Sequence, residues 1–158
     1  SRKSLHMKKY SPLRWSNEDE LTNSDSDYKY QTIYPEELGV KNTFEFINRI
    51  NPMIIIGSMG SAFYQLFINK KIRSNICIIF GGINSDDLWK DQFVDLKPFR
   101  KLFWSIYTET EITHPWNSSF NYDPNLIDKA IKTIKTYVSK NNNTIKLNSR
   151  TRLIPPRI

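Results

Sequence analysis

The stretch Ile54-Ile55-Ile56-Gly57-Ser58-Met59-Gly60-Ser61-Ala62 decides the fold. With Met53 in front, the isoleucine run is continuous, apolar and β-branched. It is too short for a helix and typical of a central strand buried on both faces of a sheet. It runs into a turn of small residues, Gly57 to Gly60, and from Ser61 to Ile68 the pattern reads as a helix. A buried strand, a tight turn and a helix in succession is the building unit of an α/β domain with a largely parallel sheet.

The flanks extend this alternation. Downstream, the basic cluster Lys70-Lys71-Ile72-Arg73 leads into a second apolar run, Ile76 to Phe80, closed by Gly81-Gly82. Upstream, Asn42 with Glu45 three residues on makes a helix-capping signal, and Phe44, Ile47 and Ile50 share a helical face up to Asn51-Pro52. Before that, Tyr28, Tyr30, Thr32 and Tyr34 alternate as in a strand that stops at Pro35. Ser16 and Asp19 are spaced to cap a short acidic helix through Leu21, followed by the polar turn Ser24-Asp25-Ser26-Asp27.

Beyond Asn84 the pattern predicts a helical turn within Asp86 to Phe93 and a last strand over Leu102 to Tyr107. A final helix is capped by Asp123, with Pro124 at its first position. Leu126, Ile127, Ala130, Ile131, Ile134 and Val138 form its apolar stripe, and Asn141 to Asn143 stop it. One domain over residues 1–145 is expected. A basic, irregular tail follows over 146–158, with Arg150, Arg152, Arg157 and Pro155-Pro156, extended over another surface or mobile.

The 158 residues suffice for one ordinary domain and not for two developed cores. At 39% hydrophobic and 25% charged, the chain reads as globular, and no apolar run approaches the ~20 residues of a membrane helix. Lys and Arg number 23 against 16 Asp and Glu, a formal +7, which favours anionic partners: phosphates, nucleic acid or a membrane surface. The single Cys77 excludes an intrachain disulfide and a thiolate zinc cluster, and is expected to pack as a small apolar residue. His6 and His114 are too few for a His-rich metal site or a His-pair mechanism. The chain opens on Ser1-Arg2-Lys3 without an initiator methionine, so a fragment or a processed product is expected.

The candidate chemistry is anion binding. Gly57 and Gly60 let the backbone approach a ligand closely, Ser58 and Ser61 offer hydroxyl donors, and the free N–H groups of a helix start attract phosphate. The structural alternative is that the glycines only close the turn, since the spacing is neither GxGxxG nor a Walker loop. Arg2, Lys3 and Arg14 form a second candidate, because arginine forks grip phosphate bidentately; the alternative is solvated surface charge. Glu18 and Glu20 stand near a helix start, where structural duty outweighs acid/base work, and His114 beside Pro115-Trp116 reads as a packed side chain.

Ser1-Arg2, Arg14, Asn17-Glu18-Asp19-Glu20-Leu21, Tyr34-Pro35-Glu36-Glu37-Leu38 and Ile55-Ile56-Gly57-Ser58-Met59-Gly60-Ser61-Ala62 with Phe67 together resemble the C-terminal lobe of glycosyltransferase family 61. The likeness covers roughly residues 1 to 80. In that family a strand ends in Ser-Arg, an Arg and an Asn-Glu-x-Glu-Leu helix start follow, then a Pro-Glu-x-Leu phrase and a Gly-x-His-Gly turn. Met59 stands where many members have histidine, and Gln65 where asparagine is usual.

The resemblance implies a Rossmann-like three-layer lobe of a two-lobed GT-B enzyme, inverting and metal-independent, that moves a sugar from a nucleotide diphosphate to a glycan or polysaccharide acceptor. No cofactor is expected beyond that donor. The implied donor-binding set is Arg2, Arg14, Asn17, Glu18, Gly57, Ser58, Met59, Gly60 and Ser61, with the general base and much of the acceptor site on a missing N-terminal lobe. Asp25-Ser26-Asp27, the only Asp-x-Asp spacing, sits in a polar turn.

The main rival is a basic RNA-binding component of a ribonucleoprotein; it is disfavoured because the positive charges read as scattered and lack an aromatic stacking signature. A methyltransferase-type domain would need a Gly-rich first strand-turn and an acidic residue ending the next strand, neither of which occurs in order. One cysteine and no signal-peptide pattern suggest a bacterial cytoplasm, at the inner face of the membrane. The sequons Asn117-Ser118-Ser119 and Asn142-Asn143-Thr144 keep a secretory-pathway lumen as the alternative.

Overall fold

The computed structural model describes residues 4–7, 18–23, 28–58, 66, 71–81, 103–108, 121–137 and 144–156. In chain order they form β1 (Ser4–Met7), α1 (Glu20–Asn23), β2 (Tyr30–Ile33), α2 (Pro35–Ile50), β3 (Ile54–Ser58), β4 (Asn75–Gly81), β5 (Phe103–Thr108), α3 (Pro124–Thr136), β6 (Ile145–Lys146) and β7 (Thr151–Ile154). One sheet holds all seven strands in the order β2-β1-β3-β4-β5-β7-β6. The first five are parallel, and β7 and β6 continue the sheet antiparallel. The mixed α/β architecture with a mainly parallel sheet is the one the isoleucine run predicts.

The reason is visible in β3. Ile54, Ile55 and Ile56 have no exposed surface, although they alternate between the two faces of the sheet. Ile54 and Ile56 join Trp104, Ile106 and Leu153 against Ile127, Ala130, Ile131 and Ile134 of α3. On the opposite face Ile55, with its register partner Leu5, and Met7 are equally buried. A strand apolar at every position is stable only when both faces are covered, and here both are. β3 continues two residues past the isoleucines, because β4 offers Ile78 and Ile79 as ladder partners for Gly57 and Ser58. These two residues belong to the strand and not to the turn.

At the last helix, Asp123 Oδ1 accepts from Asn125 N–H at 2.9 Å and Pro124 occupies the first turn, as the sequence requires. The stop comes earlier than Asn141. Tyr137 is extended, at φ −67° and ψ 122°, and its ring meets Trp104 edge-on, 4.9 Å between centroids and 89° between planes. Packing on β5 ends this helix before the asparagines are reached. Val138 lies outside the described residues.

α2 also departs from expectation. It starts at Pro35, not Asn42: proline is pre-organised for the first helical position, and Glu36 and Glu37 favour the positive end of the dipole. Asn42 Nδ2 donates back to Leu38 O at 3.0 Å instead of capping. The helix is kinked at Gly39, which has φ 79° and ψ 169°, a region essentially closed to residues with a Cβ. Nothing lies within 4 Å of a Cβ placed there, so the obstacle is conformational and not steric crowding. Gly39→Ala is therefore expected to destabilise the chain by about 1–3 kcal/mol, read from the midpoint of urea unfolding. An unchanged midpoint would show that the helix straightens at no cost. The helix stops at Asn51, left-handed at φ 48°, whose N–H bonds Ile47 O at 2.8 Å, as the Asn51-Pro52 pair predicts.

The tail reading is corrected. Residues 145–146 and 151–154 are strands, β7 pairs antiparallel with β5, and Leu147, Leu153 and Ile154 are buried. The tail expected to be irregular therefore contains strand at 146 and 151–154, and β5 is not the last strand. The expected helix after Ser61 is represented by Leu66, helical and buried, and the turn expected within Asp86 to Phe93 lies outside the described residues.

Candidate functional site at the carboxyl ends of β1 and β3

From β1 the chain passes to β2 on one side and then crosses to β3 on the other, so the winding reverses between β1 and β3. In open α/β sheets the two connections leave such a point in opposite directions, and ligands bind in the crevice outside the strands' carboxyl ends. Those ends here are Met7 and Ser58. The chain leaving Met7 enters residues 8–17, which include Arg14 and Asn17. The chain leaving Ser58 enters Met59, Gly60 and Ser61. All five residues lie outside the described set.

Gly57 and Ser58 close β3, and Ser58 is buried on the face shared by Ile54, Ile56 and His6. Ser1-Arg2 does not end the first described strand; it precedes β1, whose carboxyl end is Met7. Arg2 and His114 themselves lie outside the described residues, as do Asp25-Ser26-Asp27, Gln65 and both asparagines of the sequons.

Glu18 is described, and its partner is one that spacing does not reveal. Glu18 Oε1 lies 2.8 Å from His6 Nε2, with side-chain exposures of 10% and 1%. On its other side the ring contacts Thr32 Oγ1 through Nδ1 at 3.2 Å. With Glu18 ionised, Nε2 carries the proton and donates; Nδ1 then accepts from the Thr32 hydroxyl, or donates to it when the ring is protonated. The cluster joins β1, β2 and the turn before α1, where Leu21 N–H returns to Glu18 O at 3.2 Å. It fixes where the loop leaving β1 comes back to the sheet. One oxygen of Glu18 is thus engaged inside the fold, one residue behind the carboxyl end of β1.

His6 and Thr32 are the residues missed by sequence reasoning. A single polar residue inside the apolar run Leu5-His6-Met7, followed by the acidic group Glu18-Asp19-Glu20, is the signal that points to them. Cys77 lies in β4 opposite Ile56. Among the described residues no group of three or more His, Cys, Asp and Glu stands ready to hold a metal ion. Nor is any helix among them long and apolar enough to cross a membrane. No protein-family model, curated protein or solved structure matches this chain. The class defined by the described residues is an α/β protein with a mainly parallel sheet and one topological switch point.

Proposed function

We propose that the chain is a Rossmann-like, three-layer, nucleotide-sugar-binding lobe of an inverting glycosyltransferase of the two-lobed kind. The observation that supports this best is the winding reversal between β1 and β3, with Ser58 at the carboxyl end of one strand and the Arg14- and Asn17-bearing segment leaving the other. In the proposed reaction an acceptor hydroxyl attacks the anomeric carbon, the bond from that carbon to the diphosphate oxygen breaks, and the hydroxyl proton passes to a base. That base, and the second wall of the cleft, come from an N-terminal lobe beyond this chain. The leaving diphosphate is neutralised without a metal by Arg14, the hydroxyls of Ser58 and Ser61 and the backbone N–H groups of the turn after β3. Glycan synthesis at the inner face of a bacterial membrane is the setting that suits such a lobe.

The test is a thermal-shift panel of nucleotide diphosphate sugars on the 158-residue chain. One donor is expected to raise the midpoint, and Ser58→Ala and Ser61→Ala each to weaken its apparent affinity about tenfold, the scale of one hydrogen bond to a charged group. Sugar transfer by the chain alone is not expected. A flat response to every nucleotide, together with salt-dependent RNA binding, would favour the ribonucleoprotein reading instead.

A further inference from the structure

The net charge of the chain is concentrated in one structural unit. Residues 129–158 hold eight of the 23 Lys and Arg and none of the 16 Asp and Glu, which leaves residues 1–128 close to neutral. The scatter read from the sequence is corrected by this division. The unit folds as most of α3 with the β6–β7 hairpin, joined through Ile131, Ile134, Leu147 and Leu153 in one apolar cluster.

Four of these cations gather at one end of the sheet. β7 runs antiparallel to β5 with Thr151 opposite Thr108, the last residue of β5, so the turn between β6 and β7 stands at the carboxyl ends of the parallel strands. Arg150 is in that turn, and Lys146 and Arg152 face each other beside it. Lys129 reaches across from α3 and donates Nζ to Leu147 O at 2.9 Å. Lys129, Lys146 and Arg150 are exposed and Arg152 is half-buried. The backbone that carries them is fixed: Asn148 Oδ1 accepts from the N–H groups of Arg150 and Thr151 at 2.9 and 2.6 Å, and Arg152 Nη1 donates to Asn148 O at 3.1 Å. Cations held on a preset turn lose little freedom on binding.

The same end of the sheet carries the β1/β3 crevice. Three inter-strand steps separate β3 from β7, about 14 Å, a span that a few sugar units cover. We propose that Lys129, Lys146, Arg150 and Arg152 bind the acceptor, and that this acceptor is an anionic glycan bearing carboxylates. The glycan assignment rests on the transferase reading. One observation favours it over other polyanions. Among the described residues the only large hydrophobic side chain that is exposed is Val40, on α2, so the described residues of this unit present neither an exposed aromatic platform for stacking bases nor an exposed apolar side chain to insert into lipid. Carboxylates spaced along a flexible sugar chain need only the cations.

The test is a titration of the full chain with fluorescent oligogalacturonate, beside uncharged dextran, a single-stranded RNA oligonucleotide and vesicles containing phosphatidylglycerol. Oligogalacturonate is expected to bind most tightly and dextran not at all, with affinity falling about tenfold or more between about 50 and about 200 mM salt. Lys146→Glu with Arg150→Glu is expected to weaken it about tenfold or more. Lys41→Glu with Arg49→Glu, the same charge change on α2, is expected to leave it within about twofold. Lys146→Gln with Arg150→Gln serves if circular dichroism shows the reversal variant unfolded. Tighter binding of RNA or vesicles, equal loss in both double variants, or no binding overturns the proposal. Nucleotide binding is read separately by thermal shift: its failure strikes the transferase reading, whereas failed glycan binding with nucleotide binding intact strikes the cationic rim alone.

Discussion

A chain cut after residue 144 is expected not to fold, as judged by loss of the cooperative unfolding transition and of near-ultraviolet circular dichroism. The cut removes Leu147, Leu153 and Ile154, each at most 4% exposed. Burying a large aliphatic side chain stabilises a fold by about 1.5–3 kcal/mol, so the three account for roughly 5–9 kcal/mol, comparable with the whole stability of a small domain. The loss is compounded because β5 becomes an edge strand with unpaired N–H and C=O groups, and α3 loses the partner of Ile127, Ala130 and Ile131 in the shared cluster. A truncated chain with the same urea midpoint as the full one would restore the reading of these residues as an appendage.

Removing the carboxylate of Glu18 is the second large effect. Glu18→Ala removes the hydrogen-bond acceptor of Nε2 from His6, whose side chain is 1% exposed, and leaving a buried polar atom unsatisfied in this way costs about 1–3 kcal/mol. The fold is expected to survive with a lowered urea midpoint. Replacing both members by leucine is expected to recover most of the loss, since an apolar pair has no buried polar atom to satisfy. A double-mutant cycle over Glu18→Ala and His6→Ala measures the coupling, expected at about 2 kcal/mol or more. A coupling near zero would mean that the contact is incidental and that Thr32 and the strand backbone alone hold the ring.

These two results bear on the most and least legible parts of the sequence. The isoleucine run, the Asp123-Pro124 start of α3 and the Asn51 stop of α2 could be read directly, because each depends on residues within a few positions of one another. Gly39 was passed over because the capping signal placed the helix start at Asn42, beyond it, whereas α2 starts four residues before it, at Pro35, and bends there. The strands β6 and β7 were read as tail because two- and four-residue strands carry too little alternation to register. Their burial depends on β5, more than 35 residues earlier in the chain. Of the described polar residues, His6 was set aside because two histidines are too few for a His-rich metal site or a His-pair mechanism, whereas its partner is an acid twelve residues on.

By itself the sequence determined that the chain makes a covered, mainly parallel sheet, since an all-apolar β-branched run is stable only between two layers. It also determined where two of the helices begin or end, because caps are local hydrogen bonds. The tertiary structure decided which strands are neighbours, and with that the switch point between β1 and β3, the buried His6–Glu18 pair and the gathering of cations around the β6–β7 turn. Strand order and long-range pairing come from the packing of segments distant in the chain. The charge total was legible from the start, and the end of the sheet that receives it was not.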